Sequence, residues 1–219
     1  MPPEYDVIMA VHNGAHMIND ALHSIAAQSL QPRQVIVIDD GSTDDLREAL
    51  ASSPLPVQLV MKPHCGQSAA LNTGLSLCSA PIVTFLDHDD LWTEDHSRLL
   101  MNEMDADVDV VRGAVINRFM QDGGKHHDVH MGPTRLLSST IIRLSSTKIV
   151  GPFIEDFKSH SIIDWWSRAM MAGLSMRTVE EPVLIRRIHG GNEGLSSASR
   201  TRADLLARVR DHRARSAST

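Results

Sequence analysis

The stretch that most constrains the fold is an apolar run ending in three carboxylates, Ile82-Val83-Thr84-Phe85-Leu86-Asp87-His88-Asp89-Asp90-Leu91-Trp92. Such a run is typical of a strand buried inside a parallel sheet. In open α/β sheets the ligand binds just beyond the carboxyl ends of the strands. Because residues i and i+2 of extended backbone point the same way, Asp87 and Asp89 are predicted to converge on one cation, Mg²⁺ or Mn²⁺. A solvated acidic turn is the alternative, and the flanking apolar residues argue against it.

Three apolar segments before this strand alternate with helical patterns. Strands are predicted at 7–11, 35–38 and 57–61; helices are predicted at 16–29, in a short segment capped by Ser42 or Thr43, and at 66–77. The resulting β-α-β-α-β-α-β order predicts an α/β fold, a Rossmann-like and mostly parallel central sheet flanked by helices.

The second half of the chain is less regular. Its predicted elements are a helix at 94–105, a strand at 108–119, a Gly- and His-rich loop at 121–133, a strand at 140–143, a helix at 159–172 and a strand at 183–188. No repeat or linker is visible, so residues 1–199 are predicted to form a single domain. The arginine-rich tail, 200–219, is predicted to be a solvated amphipathic helix; peripheral contact with anionic lipid or an acidic partner is the alternative.

Charge and cysteine content narrow the function classes. A net charge of −6 gives no support to a nucleic-acid surface, which is normally basic. Cys65 and Cys78 lack a metal-ligand spacing, and reduced cysteines are the expectation in a cytoplasmic protein. No apolar stretch reaches the ~20 residues that a bilayer requires, so the expectation is a soluble protein without a signal peptide or transmembrane segment.

Polar or small residues follow the first, second and fourth predicted strands: His12-Asn13-Gly14, Asp39-Asp40-Gly41, then the carboxylate stretch. Carboxyl ends lined this way form one crevice. An acid after the second strand can accept a hydrogen bond from a base or a ribose hydroxyl. A turn followed by a helix cap is the alternative for this segment.

Several motifs together resemble the family-2 glycosyltransferases of the GT-A fold. The segments are Val11-His12-Asn13-Gly14, Val37-Ile38-Asp39-Asp40-Gly41-Ser42-Thr43-Asp44, Gly66-Gln67-Ser68-Ala69-Ala70-Leu71-Asn72-Thr73-Gly74 and Phe85-Leu86-Asp87-His88-Asp89-Asp90-Leu91-Trp92, in the family's order and spacing. The resemblance divides the chain into a nucleotide-binding half, about 1–92, and an acceptor-side half, about 93–199.

The resemblance implies a nucleotide-diphosphate sugar as donor, UDP-linked, and an inverting single displacement. It implies that Asp39 contacts the nucleobase and that Val11 and Asn13 line the nucleotide site, with Gln67 in the following block. Asp87 is expected near the ribose and the metal, and Asp89 as a direct metal ligand.

The acceptor side matches the family less well. Family members carry a Glu-Asp pair before a helix that ends in Arg, and the Asp of that pair is the catalytic base. Here the region reads Ser159-His160-Ser161-Ile162-Ile163-Asp164-Trp165-Trp166-Ser167-Arg168, without the pair. Asp164 is therefore the predicted base, with Glu155 and Asp156 as alternatives; an acid that only interacts with the helix dipole is the other interpretation.

The last strand ends in Arg186-Arg187-Ile188-His189, which resembles the family's closing block. It implies His189 as a third metal ligand or diphosphate contact, and Arg187 or Arg186 as a phosphate partner. His126, His127 and His130 fit no zinc template and are predicted to lie in a polar loop beside the acceptor site. Trp165 and Trp166 are expected in the core, with a sugar platform as the alternative.

The sequence therefore predicts a metal-dependent glycosyltransferase whose acceptor is a glycan, lipid carrier, small molecule or peptide. A nucleotidyltransferase would normally carry a Gly-rich, basic phosphate loop after the first strand, and His12-Asn13-Gly14 does not provide one. A catalytically inactive nucleotide-sugar-binding partner subunit remains the alternative, because the Glu-Asp pair is missing.

Overall fold

A computed structural model describes residues 4–120 and 124–189, apart from the side chains of 157–159. The chain divides into two compact units, Met1–Arg187 and Ile188–Thr219. The predicted tail, 200–219, and the domain boundary at 199 lie outside the described residues. Among the described residues, every helix is too short or too polar to cross a membrane.

The strands and α-helices alternate through the first half, as predicted. In chain order they are β1 Tyr5–Val11, α1 Ile18–Ala26, β2 Gln34–Asp40, α2 Leu46–Ala51, β3 Gln58–Lys62, α3 Gln67–Leu77, β4 Ile82–Phe85, β5 Leu91–Trp92, α4 His96–Asn102, β6 Val110–Met120, β7 His126–Pro133, β8 Thr140–Arg143, α5 Leu144–Val150, α6 Ser161–Met171 and β9 Met176–Ile188. A 3-10 helix, Glu155–His160, leads into α6.

Within the described residues, a nine-stranded sheet joins these strands in the order β3-β2-β1-β4-β8-β6-β9-β5, and β7 pairs with β6. The first four strands are parallel, with Val7 opposite Val35 on one side and Tyr5 opposite Ile82 on the other. The pairs of β8 with β4 and with β6 are antiparallel. The α/β fold class and the parallel nucleus predicted from the strand order are confirmed.

Apolar side chains fill the core on both faces of the sheet. Trp165 and Trp166 are fully buried, and their indole N–H groups donate to the carbonyls of Gly151 at 3.1 Å and Arg135 at 2.6 Å. These partners satisfy the only polar atoms of the rings. The prediction that both tryptophans belong to the core is confirmed.

His96 is a buried histidine on the opposite face of the sheet. Its ring stacks on Trp92 with centroids 3.9 Å apart, and Nδ1 donates to the carbonyl of Val183 at 3.0 Å. Burial disfavours the charged imidazolium and lowers the pKa of His96 to about 3.

Two local predictions are wrong. The segment predicted as a loop at 121–133 contains β7, whose cross-strand partners lie on β6. The residue that precedes α2 is Asp45, not Ser42 or Thr43. The latter two bond to Asn13 instead, because the loops after β1 and β2 meet.

Candidate functional site

Hydrogen bonds join the loops that follow the parallel strands β1 and β2. Asn13 donates its backbone N–H to Ser42 Oγ at 3.0 Å and accepts the Thr43 N–H on Oδ1 at 2.8 Å. Asn13 has a φ of 55°, a conformation that asparagine tolerates better than most residues. The loop backbone is thus held by side chains, and the predicted nucleotide residue Asn13 is the centre of that arrangement.

Asp39 lies at the end of β2, directly opposite Val11 of β1. Its Oδ1 accepts the N–H of Ser42 at 2.8 Å, so the carboxylate also closes the turn that follows β2. The structure therefore brings Val11, Asn13 and Asp39 together at the carboxyl edge of the sheet. This is the edge at which open α/β sheets bind ligands.

Asp40 is buried and organises the loop between β3 and α3. It accepts the N–H groups of Cys65 at 3.0 Å and Gly66 at 2.8 Å, and Lys62 Nζ lies 3.3 Å away. Burial, the largest single effect, opposes ionisation, but these donors together outweigh it and lower the pKa of Asp40. The sequence assigned Asp40 no role of its own; the structure shows that it positions the segment leading to Gln67.

Two imidazoles stack beside Asp40. The rings of His12 and His64 lie 4.2 Å apart, and both Nδ1 atoms donate to the carbonyl oxygen of Asp40, at 3.0 and 2.9 Å. Asn13 Nδ2 lies 3.2 Å from His12 Nε2, which accepts this hydrogen bond because Nδ1 carries the ring proton. The two stacked rings therefore border the predicted nucleoside side of the crevice.

The carboxylate stretch forms a turn rather than a continuation of β4. The strand ends at Phe85, and the N–H of Asp90 donates to the carbonyl of Asp87 at 3.1 Å. The expectation that extended backbone aligns Asp87 and Asp89 is wrong in this respect. The turn nevertheless keeps the two carboxylates close enough for the charge of Asp89 to raise the pKa of Asp87.

Protein groups closely surround the Asp87 carboxyl. Its Oδ2 accepts the hydroxyl of Ser138 at 3.2 Å. Burial, followed by the charge of Asp89, raises the pKa of Asp87 to about 6, although Ser138 and Arg186 act in the opposite direction. A carboxylate pair of this kind is an environment that a divalent cation would stabilise.

Asp90 is the member of the carboxylate turn to which the sequence assigned no role of its own. It is buried, its Oδ1 accepts the N–H of Arg187 at 3.0 Å, and burial together with the charges of Asp87 and Asp89 raises its pKa well above the usual value. Its position directly before the apolar pair Leu91-Trp92 was the available signal.

Arg187 braces the carboxylate turn from β9. Its Nε donates to the carbonyl of Asp89, and Nη1 donates to Asp20 Oδ2 at 2.8 Å. These contacts attach the guanidinium to the turn and to α1. Arg186, the other predicted phosphate partner, contributes favourably to the electrostatics of Asp87 and Asp90.

The described residues contain no group of three or more His, Cys, Asp or Glu side chains arranged to hold a metal ion. Asp87 and Asp89 stay the predicted metal ligands. Two carboxylates fit a Mg²⁺- or Mn²⁺-type cation, which keeps several water ligands and also takes substrate phosphate oxygens. His189, predicted as a further ligand, belongs to the second compact unit, and its role stays a prediction.

A cavity of about 40 Å³ lies beside Asp87, with space for a few water molecules. Gln67 at the start of α3 lines it, and Ile162 lines it from the first turn of α6; the other lining residues are apolar: Ile8, Ala10, Leu71, Phe85, Leu86, Leu136 and Leu137. The structure therefore brings Gln67 to Asp87, as the sequence blocks imply. No residue of α6 other than Ile162 lines this cavity.

Asp164, the predicted base, forms an ion pair with Arg168, with Nε and Oδ2 2.8 Å apart. The same guanidinium donates to the carbonyls of Val150 and Pro152, which tie α6 to the end of α5. Among the alternative bases, Glu155 Oε1 accepts Asn72 Nδ2 at 3.1 Å, and Asp156 is exposed on the 3-10 helix. The base assignment stays a prediction.

Solved structures define the class of fold. Over 84% of this chain, the structure resembles S. aureus TarS 1–349, with a TM-score of 0.65, 19% sequence identity and coverage of 60% of that chain. The same protein in complex with UDP gives a TM-score of 0.62 with 20% identity, covering 84% of this chain and 60% of that one. The fold is that of the GT-A glycosyltransferases.

Sequence comparison then identifies the family. The model of glycosyl transferase family 2 matches residues 6–160, and the chain belongs to this family. An uncharacterized glycosyltransferase of Nostoc is 26% identical over 89% of this chain and 68% of its own length. The succinoglycan biosynthesis protein ExoW of Rhizobium meliloti is 32% identical over 61% of this chain, a match that spans 43% of that protein.

Proposed function

We propose that this protein is a metal-dependent, inverting glycosyltransferase that uses a nucleotide-diphosphate sugar, with UDP as the nucleotide. The observation that carries the proposal is the convergence of Val11, Asn13 and Asp39 with the Asp87–Asp89 turn along one edge of the sheet. The family membership and the UDP complex of TarS support it.

On the donor side, each group has a distinct task. Asp39 would accept a hydrogen bond from the base, and Val11 and Asn13 would line the nucleoside site. Asp87 and Asp89 would hold the cation, with His189 as a further ligand. A bound divalent cation supplies charge stabilisation at the diphosphate leaving group. Arg187 would then act mainly by bracing the Asp89 turn, since Asp20 already engages its guanidinium.

On the acceptor side, a nucleophile such as a hydroxyl must lose its proton as it attacks the anomeric carbon. Asp164 would accept that proton, with Glu155 or Asp156 as the alternatives. A glycan, lipid carrier, small molecule or peptide can each present such a group.

Calorimetric titration of UDP with and without Mn²⁺ tests the donor site. We expect Mn²⁺-dependent binding by the wild type, loss of the Mn²⁺ effect in Asp89→Ala, and wild-type behaviour in the control Asp107→Ala, whose carboxylate is exposed on a different loop. Binding that is equal with and without Mn²⁺ would contradict metal dependence. Absence of binding by every nucleoside diphosphate would contradict the donor assignment.

A second candidate is a nucleotide-sugar-binding subunit without transferase activity. It is favoured by the engagement of Asp164 with Arg168 and by the apolar Ile162 at the cavity beside Asp87. Metal-dependent UDP binding without donor hydrolysis or transfer, unchanged in Asp164→Asn, would support this candidate. Turnover of any nucleotide sugar by the wild type would exclude it.

A further inference from the structure

The hairpin of β6 and β7 ends the sheet with an edge strand on one side. Within the described part of the chain, β7 pairs only with β6, and it is exposed from His126 to Gly132. Val129 and Met131 on this strand leave 41% and 44% of their surface in solvent. An exposed edge presents unpaired backbone N–H and C=O groups and is a template for another strand.

The side chains of β7 divide into two faces. Asp128 lies opposite Arg118 of β6, which binds it through two hydrogen bonds of 2.9 and 2.8 Å. His126 and His130 share this face and interact with the same carboxylate electrostatically. His127, Val129 and Met131 lie on the other face, where His127 stacks on Phe119 with centroids 4.8 Å apart.

The sequence of β7 is self-complementary in one antiparallel register. When two copies of β7 pair antiparallel about a two-fold axis perpendicular to the sheet, residues that lie directly opposite each other point to the same face of the sheet. An axis at Asp128 would oppose two carboxylates, and an axis at His130 would oppose two imidazoles. An axis at Val129 instead places Asp128 opposite the partner's His130 twice and Val129 opposite its own copy. An axis at His127 would also pair Asp128 with the partner's His126, but β7 begins at His126, so only residues 126–128 could pair about that axis. The register centred on Val129 joins the same charge pairing to a paired stretch of residues 126–132, and it is therefore the favoured register.

We propose that β7 is the interface of a symmetric dimer of this chain, with the two strands paired antiparallel about Val129. The contact is isologous, because each Asp128–His130 pair occurs twice. Arg118 holds the Asp128 carboxylate on the face where the partner's His130 arrives. On the other face of β7, Val129 lies opposite its own copy, and His127 lies opposite the partner's Met131.

Light scattering coupled to size exclusion, over a range of protein concentrations, tests the proposal. We expect the wild type to shift from monomer to dimer as its concentration rises. Val129→Lys should abolish the dimer, because two like charges would face each other on the axis, and His130→Asp should do the same by opposing two carboxylates. The control is Met61→Lys, since Met61 is 59% exposed on β3 at the opposite end of the sheet; it should dimerise like the wild type.

Disulfide trapping supplies an independent measurement. Directly opposite residues of antiparallel strands have Cα atoms about 4.5–5.5 Å apart, which a disulfide can bridge. In a Cys65→Ser background, Val129→Cys should form a covalent dimer with oxidised glutathione, and Met61→Cys should not. A wild type that remains monomeric at every concentration, or a dimer that survives both Val129→Lys and His130→Asp, would overturn the proposal.

Discussion

Gly14 allows the β1 loop to approach the carboxylate turn, and an alanine there should weaken metal-dependent nucleotide binding. A Cβ added at Gly14 would lie 2.4 Å from His88 Cδ2, 2.8 Å from His88 Cγ and 2.8 Å from Val11 Cγ1. Carbon atoms pack at about 3.5–4.0 Å, so the ring must move by about 1 Å. His88 lies between Asp87 and Asp89, so a shift of its ring disturbs both carboxylates.

Overpacking of this kind costs about 1–3 kcal/mol. If the whole of that cost opposes the arrangement of the two carboxylates that binds the cation, UDP affinity in the presence of Mn²⁺ falls by roughly 5- to 150-fold. Calorimetric titration of UDP in the presence of Mn²⁺ measures this loss of affinity. Uridine, which lacks the diphosphate, should lose less affinity than UDP, because it does not require the two carboxylates to hold a cation.

A double-mutant cycle isolates the contact. In a His88→Ala background the ring is absent and only the contact with Val11 Cγ1 remains, so Gly14→Ala should cost less than in the wild type. Gly132→Ala is the matched control, since a Cβ there meets no heavy atom within 4 Å. An unchanged UDP affinity in Gly14→Ala, or an equal cost in both backgrounds, would refute the argument.

Three further predictions concern stability and catalysis. Burial lowers the pKa of His96 to about 3 in the folded protein, whereas its pKa in the unfolded chain is about 6.5. Below pH 6.5 the unfolded chain therefore binds a proton that the folded protein does not, and the free energy of unfolding falls by about 2 kcal/mol between pH 7 and pH 5. Urea unfolding should show this acid slope reduced in His96→Phe, and equal slopes would contradict it. Asp40→Asn places an amide against the N–H of Cys65 and should lower the unfolding free energy by about 1–3 kcal/mol, measured by the same assay; a change near zero would show that the loop is held otherwise. Asp164→Asn should reduce transfer by about 10²–10⁴-fold at unchanged UDP affinity if the carboxylate is the base, whereas loss of the Arg168 ion pair alone would lower only the melting temperature.

Much of the nucleotide side could be predicted from local sequence. The strands β1, β2 and β4 are apolar runs followed by polar residues, and in a parallel sheet their carboxyl ends necessarily meet at one edge. Asp39, Asn13 and Asp87 could be placed there without coordinates, because strand direction alone brings them together. The burial of Asp90 and its hydrogen bond from the backbone N–H of Arg187 could not be predicted in this way, because Arg187 lies far along the chain.

The acceptor side could not be predicted to the same depth. The strand β7 is polar and rich in histidine, and it forms because β6 offers an edge for hydrogen bonding, not because of its own apolar pattern. Ser42 and Thr43 have a high propensity to cap helices, but here Ser42 Oγ accepts the N–H of Asn13, and the N–H of Thr43 donates to Asn13 Oδ1. These partners lie on the neighbouring loop after β1, which the local sequence does not show.

The sequence by itself therefore determined the α/β class, the parallel nucleus and the carboxylates at its edge, because hydrophobic period and strand order are local properties. Only the tertiary structure decided which polar groups each side chain meets. Asp164 engages Arg168, Arg187 donates to the carbonyl of Asp89, and Asp87 lies beside a mainly apolar cavity that Ile162 also lines. Hydrogen bonds and ion pairs act over a few ångströms between residues that are distant in sequence, so their partners exist only after the chain has folded.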